Sequence, residues 1–193
     1  PGGDISEPVS QGTLRIGKGF WGLDAGLARQ RHFPAINWLS SYSLYPQALD
    51  QWYRDNIASD FPEVRTDIST LLQVEAELQE IVQLVGSDAL PVDQQLTLEV
   101  ARMIREFFLQ QNAFHDVDTF SDLGLQYHMA RAILSFQEEA KKAIAGGAQL
   151  EDVVNIPART DLMRGRFEKG YDERIGELVT EMGKQIAASM EAN

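Results

Sequence analysis

Cysteine is absent from all 193 residues, which removes disulfide, thiolate and zinc-ribbon chemistry. Basic residues are scarce: 17 Lys and Arg stand against 29 Asp and Glu, a formal net charge of −12 with an isoelectric point near 4.6. Nucleic acid and anionic bilayers are bound through clustered Lys and Arg, so this balance argues against both as partners. No apolar run approaches the ~20 residues that span a bilayer, and the opening PGGDISEPVSQ has neither the basic nor the apolar part of a signal peptide. The expectation is an intracellular chain with no direct membrane insertion.

Catalytic and metal signatures are missing as well. The three histidines, His32, His115 and His128, share no ligand spacing, so no metal site is expected. There is no HExxH and no nucleophile elbow. A phosphate loop GxxxxGK[ST] needs a lysine for the β and γ phosphates and a hydroxyl for magnesium. Lys18 and Lys184 each follow a glycine, but Gly19 and Gln185 come next. PGGD at the start has no lysine and no strand before it. Residues that catalyse on their own are therefore expected to be none.

What is present is helical periodicity. At 44% hydrophobic the chain can bury a sizeable core. Pro62 to Val85 places Val64, Ile68, Leu71, Leu78, Ile81 and Val85 at helical spacings. Gly86 ends that run, SDALPVDQ turns the chain, and Pro91 suits the first turn of a second helix. That helix carries Leu96, Val100, Met103, Ile104 and Phe107 on one face, making a helical hairpin. A third helix is expected from about Asp122 to Ala145, stopped by Gly146-Gly147. A last one from about Pro157 carries Met163, Phe167, Tyr171, Ile175, Leu178, Met182 and Ile186. Residues 1–45 differ: they are glycine-rich, with a strand-like run from Thr13 to Trp21, weakened by Gly17 and Gly19, and a brief helix from Asp24. The fold class is mainly α, a bundle over 46–193 preceded by a short strand and helix segment.

Three phenylalanines stand apart from this periodicity. Pro34 fixes the backbone after Phe33 and biases it to an extended conformation, a stiff mount for a ring. Phe114 and Phe120 fall in a loop signalled by Asn112 and FHDVD. Loop rings can stack on a flat heterocycle or cap a core, and spacing leaves both open.

Four blocks decide more: PGGDISEPVS, LRIGKGFWGLDAGLARQRHFPAINW, AELQEIVQLVG and LEVARMIREFFLQQNAFHDVDTF. In this order they resemble the catalytic A subunit of the archaeal A-type and vacuolar V-type rotary ATPases, closely over residues 1–120 and as helical pattern beyond. The resemblance implies that 1–45 is the C-terminal edge of the nucleotide-binding domain, without its phosphate loop, and that 46–193 is the C-terminal helical domain. By alignment with the related F-type beta subunit, it implies that Phe33, Phe114 and Phe120 surround the adenine of ATP or ADP. In the A-subunit pattern Gln111, Asn112, Ala113 and Phe114 also border the base. Phe120 is tyrosine in some relatives. The catalytic carboxylate, phosphate lysine and Mg2+ ligands are implied to lie upstream of Pro1, and the arginine finger on the B subunit. The hairpin turn, Ser87, Asp88, Ala89, Leu90, Pro91, Val92 and Asp93, is implied to meet the central-stalk subunits, although only two of its residues are acidic.

The expected function is thus the C-terminal part of such a catalytic chain. It would serve ATP synthesis or hydrolysis coupled to rotary proton or other ion transport, peripheral on the cytoplasmic face of the membrane and inactive alone. The alternative is a free-standing helical protein-interaction module of the same ancestry without ATPase activity. A B-type regulatory subunit is disfavoured by the FPAINW and LQQNAF blocks. A nucleotide-sensing fragment would have to lose its affinity on Phe33→Ala or Phe120→Ala.

Overall fold

The structure, a computed structural model, describes residues 8–168 and 170–191, so the glycine-rich PGGD opening lies outside the described residues. The chain divides into two compact units, one up to Pro62 and one from Glu63 onward.

In the first unit, helix α1 (Pro8–Ile16) precedes strand β1 (Gly19–Leu23), helix α2 (Ala25–Arg29), strand β2 (Ile36–Ser43) and helix α3 (Pro46–Asn56). The strand predicted over Thr13–Trp21 is overturned in its first half. The Thr13 hydroxyl donates to the Val9 carbonyl at 2.9 Å and the Gly17 amide to the Thr13 carbonyl at 2.8 Å. These four-residue bonds close a helical turn, and so short an apolar alternation does not separate a period of 2 from 3.6. The sequence pattern predicts one strand here, and the described residues hold two. β1 and β2 pair antiparallel, with Phe20 opposite Tyr42 and Gly22 opposite Asn37 across a bulge. Gly22 is favoured at that bulge, because a Cβ there would lie 2.5 Å from the Ser40 hydroxyl. Asp24 caps α2 as its sequence position predicts, accepting the Gly26 and Leu27 amides at 2.7 and 3.1 Å.

The second unit is helical. Helix α4 (Phe61–Val85) leads through a 3-10 turn (Ser87–Ala89) to α5 (Val92–Met103), which runs into a π-helical turn (Ile104–Leu109). A loop with a 3-10 turn (Asp118–Phe120) reaches α6 (Leu123–Ala145), followed by α7 (Leu150–Val154), α8 (Pro157–Gly165) and α9 (Tyr171–Glu191). The core lies where α6 packs on α9 and α5, with α8 against α9. Leu96, Val100, Met103, Ile133, Phe136, Leu162 and Met182 are fully enclosed there. Buried alanines on α6, including Ala132, Ala140 and Ala143, let neighbouring backbones approach closely.

Two helical expectations are corrected. The single helix predicted from Pro157 breaks after Gly165: Gly170 has φ +79°, a left-handed conformation that ends helices and that glycine adopts without penalty. On α4 the buried stripe runs through Val64, Ile68, Leu72 and Leu78, whereas Ile81 and Val85 are exposed and Leu71 is half-buried. Among the described residues nothing covers Ile81 and Val85 near the hairpin tip, so helical periodicity there does not mean burial.

Candidate functional site

The loop after α5 rests on a bonded scaffold. The π-turn ends with the Gln110 amide donating to the Arg105 carbonyl at 2.9 Å. Beyond it, Asp118 is buried and accepts the Asn112 amide at 2.6 Å, while the Gln111 side-chain amide donates to the Asp118 carbonyl at 3.2 Å. The Asn112 side-chain oxygen takes the Phe114 amide at 3.0 Å, a local turn that asparagine favours. His115 accepts the Val117 amide at 3.2 Å through Nδ1 and sits against Phe167, centroids 4.7 Å apart. This internally bonded loop brings Gln111, Asn112, Ala113, Phe114 and Phe120 together. It turns two rings outward: Phe114 is 98% and Phe120 83% exposed. Neither phenylalanine caps the core.

A buried guanidinium underlies the loop. Arg166, in the turn after α8, donates through Nη1 to the Glu106, Phe107 and Gln110 carbonyls at 2.9, 3.3 and 2.6 Å. Its Nε lies 3.8 Å from Asp118 Oδ1, and its plane covers the Phe167 ring at 4.6 Å. Burial lowers the Arg166 pKa from the ordinary value, and the Asp118 charge opposes that shift. From the π-turn itself, Arg105 reaches the buried Glu75 of α4 at 3.1 Å. Burial pushes the Glu75 carboxyl up, with Arg105 acting against it. Sequence reasoning missed Arg166 and Asp118. No local pattern marks either residue, because the partners of Arg166 lie far back along the chain.

Phe33 belongs to the first unit. It is 51% exposed and joined to Pro34 by a cis peptide bond. The turn that holds it is pinned at both sides. The His32 amide donates to the Leu27 carbonyl at 2.9 Å, and the Asp24 amide to the Ala35 carbonyl at 2.9 Å. Asp24 also accepts the Asn37 side-chain amide at 2.9 Å, and that bond is the first cause of its lowered pKa. The buried His32 ring stands 5.7 Å from Trp38.

At the hairpin tip, Leu90 is buried and the Gln95 side chain donates to its carbonyl at 2.8 Å, closing the turn. Ser87, Asp88, Ala89, Pro91, Val92 and Asp93 are exposed. Beside them Val74, Ile81 and Val85 are exposed at spacings of seven and four, one face of α4, flanked by Leu84 at 85% exposure. This apolar stripe is a feature the turn residues alone did not indicate. Among the described residues, no group of three His, Asp or Glu side chains could hold a metal ion, and no helix is long and apolar enough to cross a membrane.

Comparison with known proteins adds the lineage. Residues 1–43 match the ATP synthase alpha/beta family, nucleotide-binding domain, and residues 50–154 match the C-terminal domain of V and A type ATP synthase. The chain is 50% identical over 188 residues to the A subunit of the A-type ATP synthase of Methanosarcina barkeri (strain Fusaro), covering 97% of this chain and 32% of that one. With the corresponding A subunit of Natronomonas pharaonis the identity is 55% over 186 residues, 96% of this chain and 32% of the relative. With the V-type ATP synthase alpha chain 1 of Clostridium tetani it is 51% over 191 residues, 99% and 32%. The chain therefore spans about a third of the length of the curated relatives it matches. On the match over residues 50–154, the chain belongs to the family of C-terminal domains of V and A type ATP synthases.

Proposed function

We propose that this chain forms the adenine side of the nucleotide site in the catalytic A subunit of a rotary ATP synthase, and that its α4–α5 hairpin meets the central stalk. The observation that carries the reading is the loop Gln110–Phe120, a bonded scaffold that holds Phe114 and Phe120 out in solvent. Exposed rings on a rigid mount lose little entropy on stacking, and base–aromatic stacking contributes ~1–3 kcal/mol per base. Phe33, on its own pinned turn, supplies a third ring. In this reading the phosphates and Mg2+ are held by residues outside this chain. The B subunit completes the site in this reading. The parent enzyme couples ATP synthesis or hydrolysis to ion transport, peripheral on the cytoplasmic face of the membrane.

The test uses the full-length catalytic chain in complex with its partners. Phe33→Ala and Phe120→Ala should each raise KM for ATP by roughly 5- to 100-fold, the kinetic equivalent of losing one stacked ring. An unchanged KM in both variants removes the adenine side of the proposal. Leu84→Asp should leave ATP hydrolysis running while ATP-driven ion transport falls, because the exposed stripe on α4 would no longer grip an apolar partner. Full coupling in that variant removes the stalk contact. The chain alone should show no ATP turnover. The same exposed stripe favours a second reading, a protein-interaction module without ATPase activity, which stands if only stripe variants have an effect.

A further inference from the structure

A helix leaves its last four carbonyls without internal partners and carries partial negative charge at that end. The α5 rod ends this way on its π-turn, inside the protein, where unmet carbonyls are costly. One side chain meets three of them, and it comes from far along the chain. Arg166 Nη1 donates to Glu106, Phe107 and Gln110, and its charge faces the negative end of the rod. The same guanidinium lies 3.8 Å from Asp118, which opens the 3-10 turn bearing Phe120 and whose other carboxylate oxygen takes the Asn112 amide. A single buried cation thus grips both ends of the loop: the exit from the π-turn and the approach to Phe120. Phe167, next in sequence, holds His115 in the middle of that loop.

We propose that Arg166 is the positioning residue of the base-binding loop, fixing the stance of Phe114 and Phe120 and so the preference for adenine. The inference rests on the adenine-side reading given above. Arg166 touches no nucleotide in this scheme; it acts through the loop. The planar fork matters because Nη1 serves the carbonyls while Nε faces the carboxylate at 3.8 Å and the flat face packs on Phe167. A lysine in its place keeps the charge but is a point donor.

The experiment compares Arg166→Lys, Asp118→Asn and Phe120→Ala in the full-length chain within its complex, with ATP and GTP as substrates. Arg166→Lys and Asp118→Asn should each raise KM for ATP about tenfold, the scale of a lost charge-assisted hydrogen bond. Each should narrow the ATP-over-GTP preference with kcat nearly unchanged. Amide exchange at Asn112–Phe120 should quicken while α6 and α9 keep their protection. A merely structural arginine would lower thermal stability without moving the ATP-to-GTP ratio. If Arg166→Lys does not fold, Asp118→Asn carries the test, since it keeps the shape and one acceptor for the Asn112 amide while removing the charge that faces Arg166. An unaltered ATP-to-GTP ratio in the folded variants, with Phe120→Ala still shifting it, overturns the role of Arg166 alone. An unaltered ratio in all three overturns the base-pocket reading and this inference with it.

Discussion

The two compact units reach order by different means. From Glu63 onward, order comes from burial: Leu96, Val100, Ile133, Phe136 and Met182 are enclosed by neighbouring helices. Up to Pro62, large apolar side chains stand in solvent, with Trp21 76% exposed and Leu23, Leu44 and Trp52 also exposed. What organises that unit is local hydrogen bonding around Asp24 and Asn37. Asp24 caps α2 and takes the Asn37 amide, and Asn37 in turn accepts the Leu39 and Ser40 amides, both at 2.9 Å. A buried aliphatic side chain is worth ~1.5–3 kcal/mol and a net hydrogen bond ~0.5–1.5. The Phe33 turn is held by bonds that reach no further than Asp24 and Asn37. The Phe114–Phe120 loop borrows rigidity from a distant core through Arg166 and Asp118.

The largest expected effect tests this contrast directly. Ile133→Ala, at a fully buried site on α6, should cost ~2–5 kcal/mol in denaturant unfolding of the second unit. Trp21→Ala removes a larger side chain, but one already in water, and should change stability by less than ~0.5 kcal/mol. Comparable losses from the two substitutions would break the comparison, because Trp21 would then have to be packed.

Much of the second unit was legible in sequence because helical spacing and burial coincide in a bundle. Leu96, Val100, Met103, Ile104 and Phe107 are buried as their spacing predicts, and α6 ends at Gly146 where the glycine pair marks it. The errors have physical causes. The short alternation before Gly17 satisfied a strand and a helix alike, and local i to i−4 bonds chose the helix. The stripe through Phe167 and Tyr171 keeps helical spacing across a break, so periodicity could not reveal Gly170's backbone conformation. At the candidate site, the loop and its phenylalanines were visible as breaks in periodicity. Arg166 was not, since a contact between residues 56 to 60 apart leaves no local pattern.

A smaller effect sharpens the same comparison through glycine. Gly170→Ala places a Cβ on a left-handed backbone with open space around it, so the cost is conformational alone, ~1–2 kcal/mol. Gly22→Ala meets Ser40 Oγ at 2.5 Å, but Ser40 is exposed and its hydroxyl can swing aside. That substitution should cost under ~1 kcal/mol and should register as quicker amide exchange across β1 and β2 only. Exchange quickening in α8 and α9 after Gly22→Ala would mean the units do not order independently.

The smallest effects concern two aspartates that cap helices, one in each unit. The Asn37 amide, then the Leu27 and Gly26 amides, lower the Asp24 pKa. The Tyr171 hydroxyl, donating at 2.6 Å, and then the Leu125 amide lower that of Asp122. A carboxylate whose folded pKa is depressed contributes stability that is present above its unfolded value, near ~3.9, and lost as pH falls through the folded value. Tyr171 has the opposite sign. Burial and the bond to Asp122 push its hydroxyl up to about 12, so its contribution is present below ~10 and lost as pH rises through the folded value. Tyr171→Phe removes the donor to Asp122, so the acid transition followed at the Leu125 amide should move to higher pH while that at Leu27 stays in place. Asn37→Ala should do the reverse. Both carboxylates are largely solvated, so the shifts should be small and weaken with salt. If either variant moved both transitions, the cap in one unit would be sensing the charge state of the other, and two separately ordered units would no longer describe the chain.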